Sequence, residues 1–224
     1  MSTFLQLCQD VRAQAGISGQ GPTNVTGQTG IYADVVRWVE ESYNEIQTIH
    51  ENWNFLHNNY TLPIPAYVQE ITMPVDGVRV IAKETFIHQE SSGDKERVRY
   101  VPYSVWKLQD RFTLDEVKTE VPTYVTQLPN NNLRFNSKLD DLSDVLFEGY
   151  REPHIMVNST DTPIFPPQYH DLIQFKALIK YASYYNATEV YKANEAAFRE
   201  GISKMKFSEL PKENLYTPPL VVFA

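Results

Sequence analysis

Hydrophobic residues recur at helical spacing over one long stretch near the start of the chain. They step by three or four residues, and most neighbouring glutamates fall off the stripe, as in an amphipathic helix. The pattern predicts one helix of roughly 25 residues, with Thr29 as its N-cap. The stripe consists of Ile31, Val35, Trp38, Ser42, Ile46, Ile49, Trp53 and Leu56.

A shorter helix is predicted before it. Thr3 and Gln6 have the spacing of a capping box, in which each side chain serves an unpaired backbone N–H at the helix start. Gly16 stands where a left-handed residue would end this helix. The loop that follows is rich in glycine but lacks a phosphate-binding signature and does not follow a strand, so we interpret it as a connection. Its glycines are Gly16, Gly19, Gly21, Gly27 and Gly30.

The last third of the chain has the pattern of two antiparallel helices. Pro167 fits the first helical position, and Asn186 to Glu189 resembles a cap between the two helices. One face of the first helix is predicted to carry Leu172, Phe175, Ile179, Ala182 and Tyr185. We expect a joint helical core formed by Ile31, Val35, Trp38, Ile46, Ile49, Trp53, Leu172, Phe175 and Ile179.

Between these helical parts the period changes to that of short strands. Segments rich in β-branched and aromatic residues alternate with turn signals such as Asp76-Gly77 and Pro129-Asn130-Asn131. Many short strands without long intervening helices predict an antiparallel sheet or small barrel. The predicted strands are 60–64, 70–73, 78–81, 85–87, 98–101, 123–126, 132–135 and 144–148, with one short helix within 104–112.

The predicted fold class is therefore α+β. A helical domain formed by residues 1–57 and 165–207 is expected to carry an antiparallel β insertion, residues 58–164. Residues 208–224 follow as an extended tail with an apolar tip. Such a tail can add a strand or fill a groove on another chain, so we expect it to dock on a partner. The docking residues would be Leu215, Tyr216, Leu220, Val221, Val222 and Phe223.

Composition and charge narrow the function classes. The net charge of −8 and the lack of a strongly basic segment disfavour tight sequence-independent DNA binding. The single cysteine excludes an intrachain disulfide and a thiolate zinc site, and fits a reducing compartment. No apolar run approaches the length of a membrane span, and we expect no signal peptide.

Candidate chemistry is sparse. The five histidines lack metal-ligand spacing and are interpreted as solvated or capping residues. Asp140, Asp141 and Asp144 lack the calcium-loop pattern and are interpreted as a solvated acidic loop. We therefore expect no catalytic residue, cofactor or metal. The crowded tyrosines Tyr181, Tyr184, Tyr185 and Tyr191 favour core packing, with an intersubunit face as the alternative.

Stretches at both ends of the chain resemble a known protein family. Residues 3–12, the glycine-rich stretch 18–30 and Val36-Arg37-Trp38-Val39 resemble the N-terminal signature of head-to-tail adaptor proteins of short-tailed phages. Residues 165–173, with Lys176-Ala177-Leu178, resemble that family's C-terminal helical hairpin.

The resemblance implies a structural protein in the neck of a virion, made in the host cytoplasm. Relatives form a twelve-subunit ring beneath the portal and present a surface to the tail nozzle or tube. DNA passes through the lumen without sequence-specific binding. The alternative from another class is a tail-associated carbohydrate-binding module or glycan-degrading enzyme that uses the aromatic residues of the β region.

Overall fold

The computed structural model describes residues 2–73, 78–81, 85–90, 92–108 and 119–211. Its helices are α1 Phe4–Gln14, α2 Ile31–Thr48, α3 Tyr103–Trp106, α4 Asp171–Tyr185 and α5 Thr188–Glu209. Its strands are β1 His57–Ile64, β2 Glu70–Ile71, β3 Val78–Ile81, β4 Ile87–Gln89, β5 Lys95–Arg97, β6 Arg99–Tyr100, β7 Tyr124–Gln127, β8 Leu133–Phe135 and β9 Ser143–Arg151. Two short 3₁₀ segments, Asn54–Leu56 and Pro167–Tyr169, complete the elements. The α+β class is confirmed.

The chain forms two compact units. One combines the residues up to Phe55 with those from His154 onward, and the other runs from Leu56 to Pro153. The first unit is helical and is built from both ends of the sequence. The second contains all nine strands found among the described residues.

The first helix has the ends that its sequence predicts. Thr3 Oγ1 accepts from the Gln6 backbone N–H at 3.2 Å, and Gln6 Oε1 accepts from the Thr3 N–H at 2.9 Å. Gly16 has a φ of +68°, so the left-handed end is confirmed as well. Because α1 is short, its apolar face of Phe4, Leu7, Cys8 and Val11 depends on burial by neighbouring helices for stability.

The second helix is shorter than its hydrophobic stripe predicts. It begins after Gly30 rather than with a Thr29 cap, and it ends at Thr48 after 18 residues. Trp53 is nevertheless fully buried, because the chain leaves the helix and stacks Trp53 on Phe55, with ring centroids 5.4 Å apart. Phe55 in turn contacts Phe165 from the C-terminal part of the chain. Packing of aromatic rings therefore overrides the helical period after residue 48.

Helix α4 is the central element of the helical unit. It packs against α1, α2 and α5. Its buried residues lie on more than one face, as expected for a helix covered on several sides. They are Leu172, Ile173, Gln174, Ala177, Leu178 and Ala182. Tyr185, which the sequence places on the core face, is 49% exposed because it lies in the last turn, next to the left-handed Asn186.

The return of the chain onto α2 is fixed by buried polar side chains. Gln47 Nε2 donates to the His154 carbonyl at 2.9 Å, and Gln47 Oε1 accepts from the His154 N–H at 2.8 Å. The Tyr43 hydroxyl is 3.0 Å from His154 Nδ1 and accepts from the Ile164 N–H at 3.1 Å. We call these four residues the α2 clamp. It satisfies backbone groups of a segment that has no regular secondary structure.

The strand unit contains two sheets. In the first, β9 pairs with β1 along one edge and with β4 and β3 along the other, and β5 extends the sheet beyond β4. The second has the order β2-β8-β7-β6. Among the described strands, every pairing is antiparallel except the parallel pair β6–β7, and strand β5 is absent from the sequence prediction. One hydrophobic cluster draws on both sheets, including Phe86, Val125, Phe135 and Val145.

We predict that Gln47→Leu destabilises the helical unit. The substitution keeps the size of this fully buried side chain but leaves the His154 N–H and carbonyl without partners, at a cost of roughly 2–4 kcal/mol. Asn44→Leu, the same type of exchange at an exposed position of α2, is the control and should change the unfolding free energy by about 0.5 kcal/mol or less. Urea unfolding followed by circular dichroism measures both, and equal effects would contradict the role of the clamp.

We also predict a pH dependence from Cys8, whose thiol is fully buried. Burial raises the pKa of this thiol from 9.0 to about 12. Above about pH 9 the unfolded state loses a proton that the folded state keeps, so this group lowers the free energy of unfolding by about 1.4 kcal/mol per pH unit. Cys8→Ala is less stable because it loses packing, and its stability lacks the pH dependence that the thiol causes. The stability gap between the two proteins should therefore narrow from pH 8 to about pH 10, and a constant gap would show that the thiol is not protected.

Candidate docking surfaces

The residues predicted to form the helical core fall into three groups. Val35, Trp38, Ile46 and Leu172 are buried in the helices, and Trp53 is buried beyond the end of α2. Ile31, Phe175 and Ile179 are partly buried. The prediction for Ile49 is wrong, because this side chain is 39% exposed where α2 ends. The residues predicted to form a docking tail, Leu215, Tyr216, Leu220, Val221, Val222 and Phe223, lie outside the described residues.

Exposed aromatic side chains gather where α4 ends. Trp38 of α2 is nearly buried and supports two tyrosines of α4, with ring centroids 5.9 Å away at Tyr181 and 5.8 Å away at Tyr184. Tyr185 is 4.9 Å from both of these tyrosines. Tyr184 is 62% exposed and Tyr185 is 49% exposed. We call Trp38, Tyr181, Tyr184 and Tyr185 the tyrosine patch.

Charged residues around this patch hold α2 against α4. Lys180 Nζ contacts Glu45 at 2.6 Å and Glu41 at 2.9 Å, and Lys176 contacts Glu45 at 3.2 Å. Burial alone would raise the pKa of Glu45, but the bonds from Lys180 and Lys176 outweigh it and lower that pKa. The network therefore keeps its charges at neutral pH and positions the last turns of α4 on α2. The tyrosine patch is consequently a surface whose exposed rings rest on other aromatic rings of the helical unit.

A second surface runs along α5. A shallow groove of about 950 Å³ is lined by residues from Lys192 to Ser208 of this helix and by Tyr169. Phe207 is 80% exposed at one end. Ion pairs between Arg199 and Glu195 and between Lys204 and Glu200 follow the helix at i,i+4 spacing. The groove thus combines apolar area with paired charges, and it differs in chemistry from the tyrosine patch.

The histidines do not all have the exposed or capping environment that the sequence interpretation gives them. His170 is buried, with Nδ1 3.4 Å from the Ser2 N–H and Nε2 3.1 Å from the Phe165 carbonyl, so Nε2 carries the proton. His88 is completely buried in β4. The interpretation of all five histidines as solvated or capping residues is therefore wrong for His88, whereas His170, although buried, occupies the N-cap position of α4. Their spacing in the sequence gives no sign of burial, since strand pairing and chain return create it.

Within the described ranges, no three histidine, cysteine, aspartate or glutamate side chains are grouped so that they could hold a metal ion. None of the helices described is both long enough and apolar enough to cross a bilayer.

Comparison with known proteins adds to this geometry. The family model described as SU10 adaptor protein matches residues 2–222, which is nearly the whole chain. No curated protein matches the chain. The match includes both the helical ends and the strand unit, whereas the resemblance seen in the sequence rests mainly on the two ends. The chain therefore belongs to the SU10 adaptor protein family and is a phage head-to-tail adaptor.

Proposed function

We propose that the protein is a structural component of the virion neck. Twelve copies would form one ring between the portal and the tail nozzle or tube. DNA would pass through the lumen of this ring. The observation that carries the proposal is the family match over residues 2–222. A structural role also agrees with the two exposed surfaces of the helical unit, the tyrosine patch and the groove along α5, which are suited to contacts with other proteins.

Ring geometry requires two different surfaces on each subunit. In a closed ring, one face of a subunit contacts the opposite face of the next, so every contact joins unlike patches. The tyrosine patch and the α5 groove supply two such surfaces within one unit. Aromatic rings supported from below are typical anchors of protein interfaces, and Tyr184 and Tyr185 expose the area that such an anchor needs.

The net charge suits a channel for DNA. Each copy carries −8, and like charge near a confined lumen repels phosphate and keeps the duplex from adhering.

The strand unit gives less support to a carbohydrate-binding role. Tyr60, Phe86, Trp106, Phe135 and Phe147 of this unit are buried and cannot stack on a sugar, which leaves Tyr67 and Tyr103 as its exposed large aromatic residues in the described ranges.

We predict that the double substitution Tyr184→Ala/Tyr185→Ala impairs assembly while the fold is kept. The double variant removes three ring contacts at the surface, so the free energy of unfolding should fall by about 1–3 kcal/mol while the core stays packed. Loss of an interface anchor should weaken association by about thirtyfold. Tyr67→Ala, the same exchange at a 66% exposed residue of the strand unit, is the control.

The measurement is cosedimentation of each variant with purified portal rings, with the bound copies counted by native mass spectrometry. Twelve copies per portal are expected for the unmodified protein and for the control. Full occupancy by the double variant would remove the tyrosine patch from the proposed interface.

We predict that truncation after Pro211 prevents docking on the portal. The removed segment contains the predicted docking residues Leu215, Tyr216 and Leu220 to Phe223. The matched control replaces residues 212–224 by a Gly/Ser segment of equal length. Both forms should unfold like the full chain, and both should fail to sediment with portal rings. Electron microscopy of the mixtures would show a second ring under the portal only for the full chain, and rings with the truncated form would disprove a docking tail.

A further inference from the structure

A cavity at the beginning of β9 contains an unusual set of polar groups. Its volume is about 260 Å³, room for roughly nine water molecules at ~30 Å³ each. All of it lies within the strand unit. The polar residues that line it are His88, Glu90, Glu120, Asp140, Asp141 and Ser143.

Strand pairing brings these residues together. His88 of β4 lies opposite Val145 of β9, and Ser143 is two residues before Val145 on the same face of that strand. This is the inner face, because Val145 belongs to the hydrophobic cluster between the sheets. His88 and Ser143 therefore form a polar corner at the margin of the core, and the acidic residues 140 and 141 precede it directly in the chain.

The buried groups of this corner lack partners among the described residues. His88 is 0% exposed, and neither of its ring nitrogens makes a hydrogen bond to that part of the chain. The Ser143 hydroxyl is also buried without a described partner. Burial lowers the pKa of His88 against the opposing effect of Glu90 and Glu96, so the ring is neutral at pH 7 and one nitrogen is a free acceptor. Unpaired buried groups are costly, which favours a ligand that donates hydrogen bonds here.

The described residues that line the cavity carry charge of one sign. Glu90, Glu120, Asp140 and Asp141 are all acidic, and none of the described lining residues is a lysine or an arginine. Among the described residues, none of these four carboxylates forms an ion pair with a basic group, and Glu90 accepts one hydrogen bond from the Ser92 hydroxyl at 3.3 Å. The cavity thus offers carboxylate oxygens, an imidazole nitrogen and a hydroxyl oxygen as acceptors in one small space.

We propose that this cavity receives a guanidinium group, the side chain of an arginine on a protein that docks against the strand unit. A guanidinium is planar, stays charged and presents five N–H donors in a fixed fork, so it can serve several carboxylates and the imidazole at once. It is also more weakly hydrated than an ammonium, which lowers the cost of entering a partly buried site. This site stands on the cavity alone and does not require the proposed ring.

The test follows the His88 imidazole nitrogens by NMR during titration of the full-length protein with Nα-acetyl-L-arginine amide. Saturable shifts of the His88 signals are expected, and the neutral isostere Nα-acetyl-L-citrulline amide should produce none. Asp140→Asn/Asp141→Asn should weaken arginine binding by about tenfold, since two charge-assisted acceptors are lost. Glu40→Gln/Glu189→Gln removes the same two charges from exposed positions of the helical unit and should leave binding unchanged.

Two further measurements keep the result decisive. Circular dichroism establishes that the variants fold, and Glu120→Gln provides a second, single change at the site if the double variant does not. Spermidine and Ca²⁺ are titrated separately. Absence of His88 shifts, equal binding of the citrulline compound, or equal binding by spermidine or Ca²⁺ would overturn the guanidinium site. A portal-docking failure of the protein has no bearing on this outcome, so the two proposals fail independently.

Discussion

The helical unit depends on the contact between α2 and the chain segment that returns after the strands. Gln47 binds both backbone groups of His154, and Tyr43 binds the His154 ring and the Ile164 N–H. These bonds satisfy an irregular segment inside a packed unit, where unpaired backbone groups would be costly. Once this segment is placed, Phe165 meets Phe55 and Tyr43, and α4 can lie between α1, α2 and α5.

The same return also completes the start of the chain. The backbone N–H groups of Phe4 and Leu5 donate to the carbonyls of Asp161 and Ser159, so a distant loop caps the first turn of α1 beside its own capping box. Asp161 in turn accepts from the backbone of Val157 and Asn158, which lowers the pKa of its carboxyl and fixes the loop. Both ends of the sequence are therefore needed to form one helical core. The residues between them in the sequence form the strand unit.

This arrangement also determines which side chains of the helical unit stay exposed. The buried side chains of α4 form part of the helical core. Tyrosines at its last turn remain exposed in the tyrosine patch, where Trp38 and the ion pairs of Lys180 support them. The strand unit adds an acidic cavity whose buried acceptors have no partner among the described residues. An adaptor acts by fitting between other proteins, and features of this kind, supported aromatic rings and unpaired polar groups, are where binding energy is concentrated.

Local signals in the sequence were sufficient for the α+β class, the capping box at Thr3 and Gln6, the left-handed Gly16 and most strand positions. They act within a few residues, through backbone hydrogen bonds and side-chain periodicity. The family was also visible from residues at both ends of the chain. The crowding of Tyr181, Tyr184 and Tyr185 was evident too, although periodicity placed Tyr185 on the core face.

The tertiary structure decided the features that depend on distant residues. Helix α2 ends at Thr48 because Trp53 stacks on Phe55 and Phe55 packs on Phe165, which no local period encodes. The parallel pairing of β6 with β7 and the burial of His88 opposite Val145 arise from partners more than twenty residues away. Burial and pairing are properties of which segments meet, and the free energy that selects them comes from packing over the whole unit rather than from any single stretch.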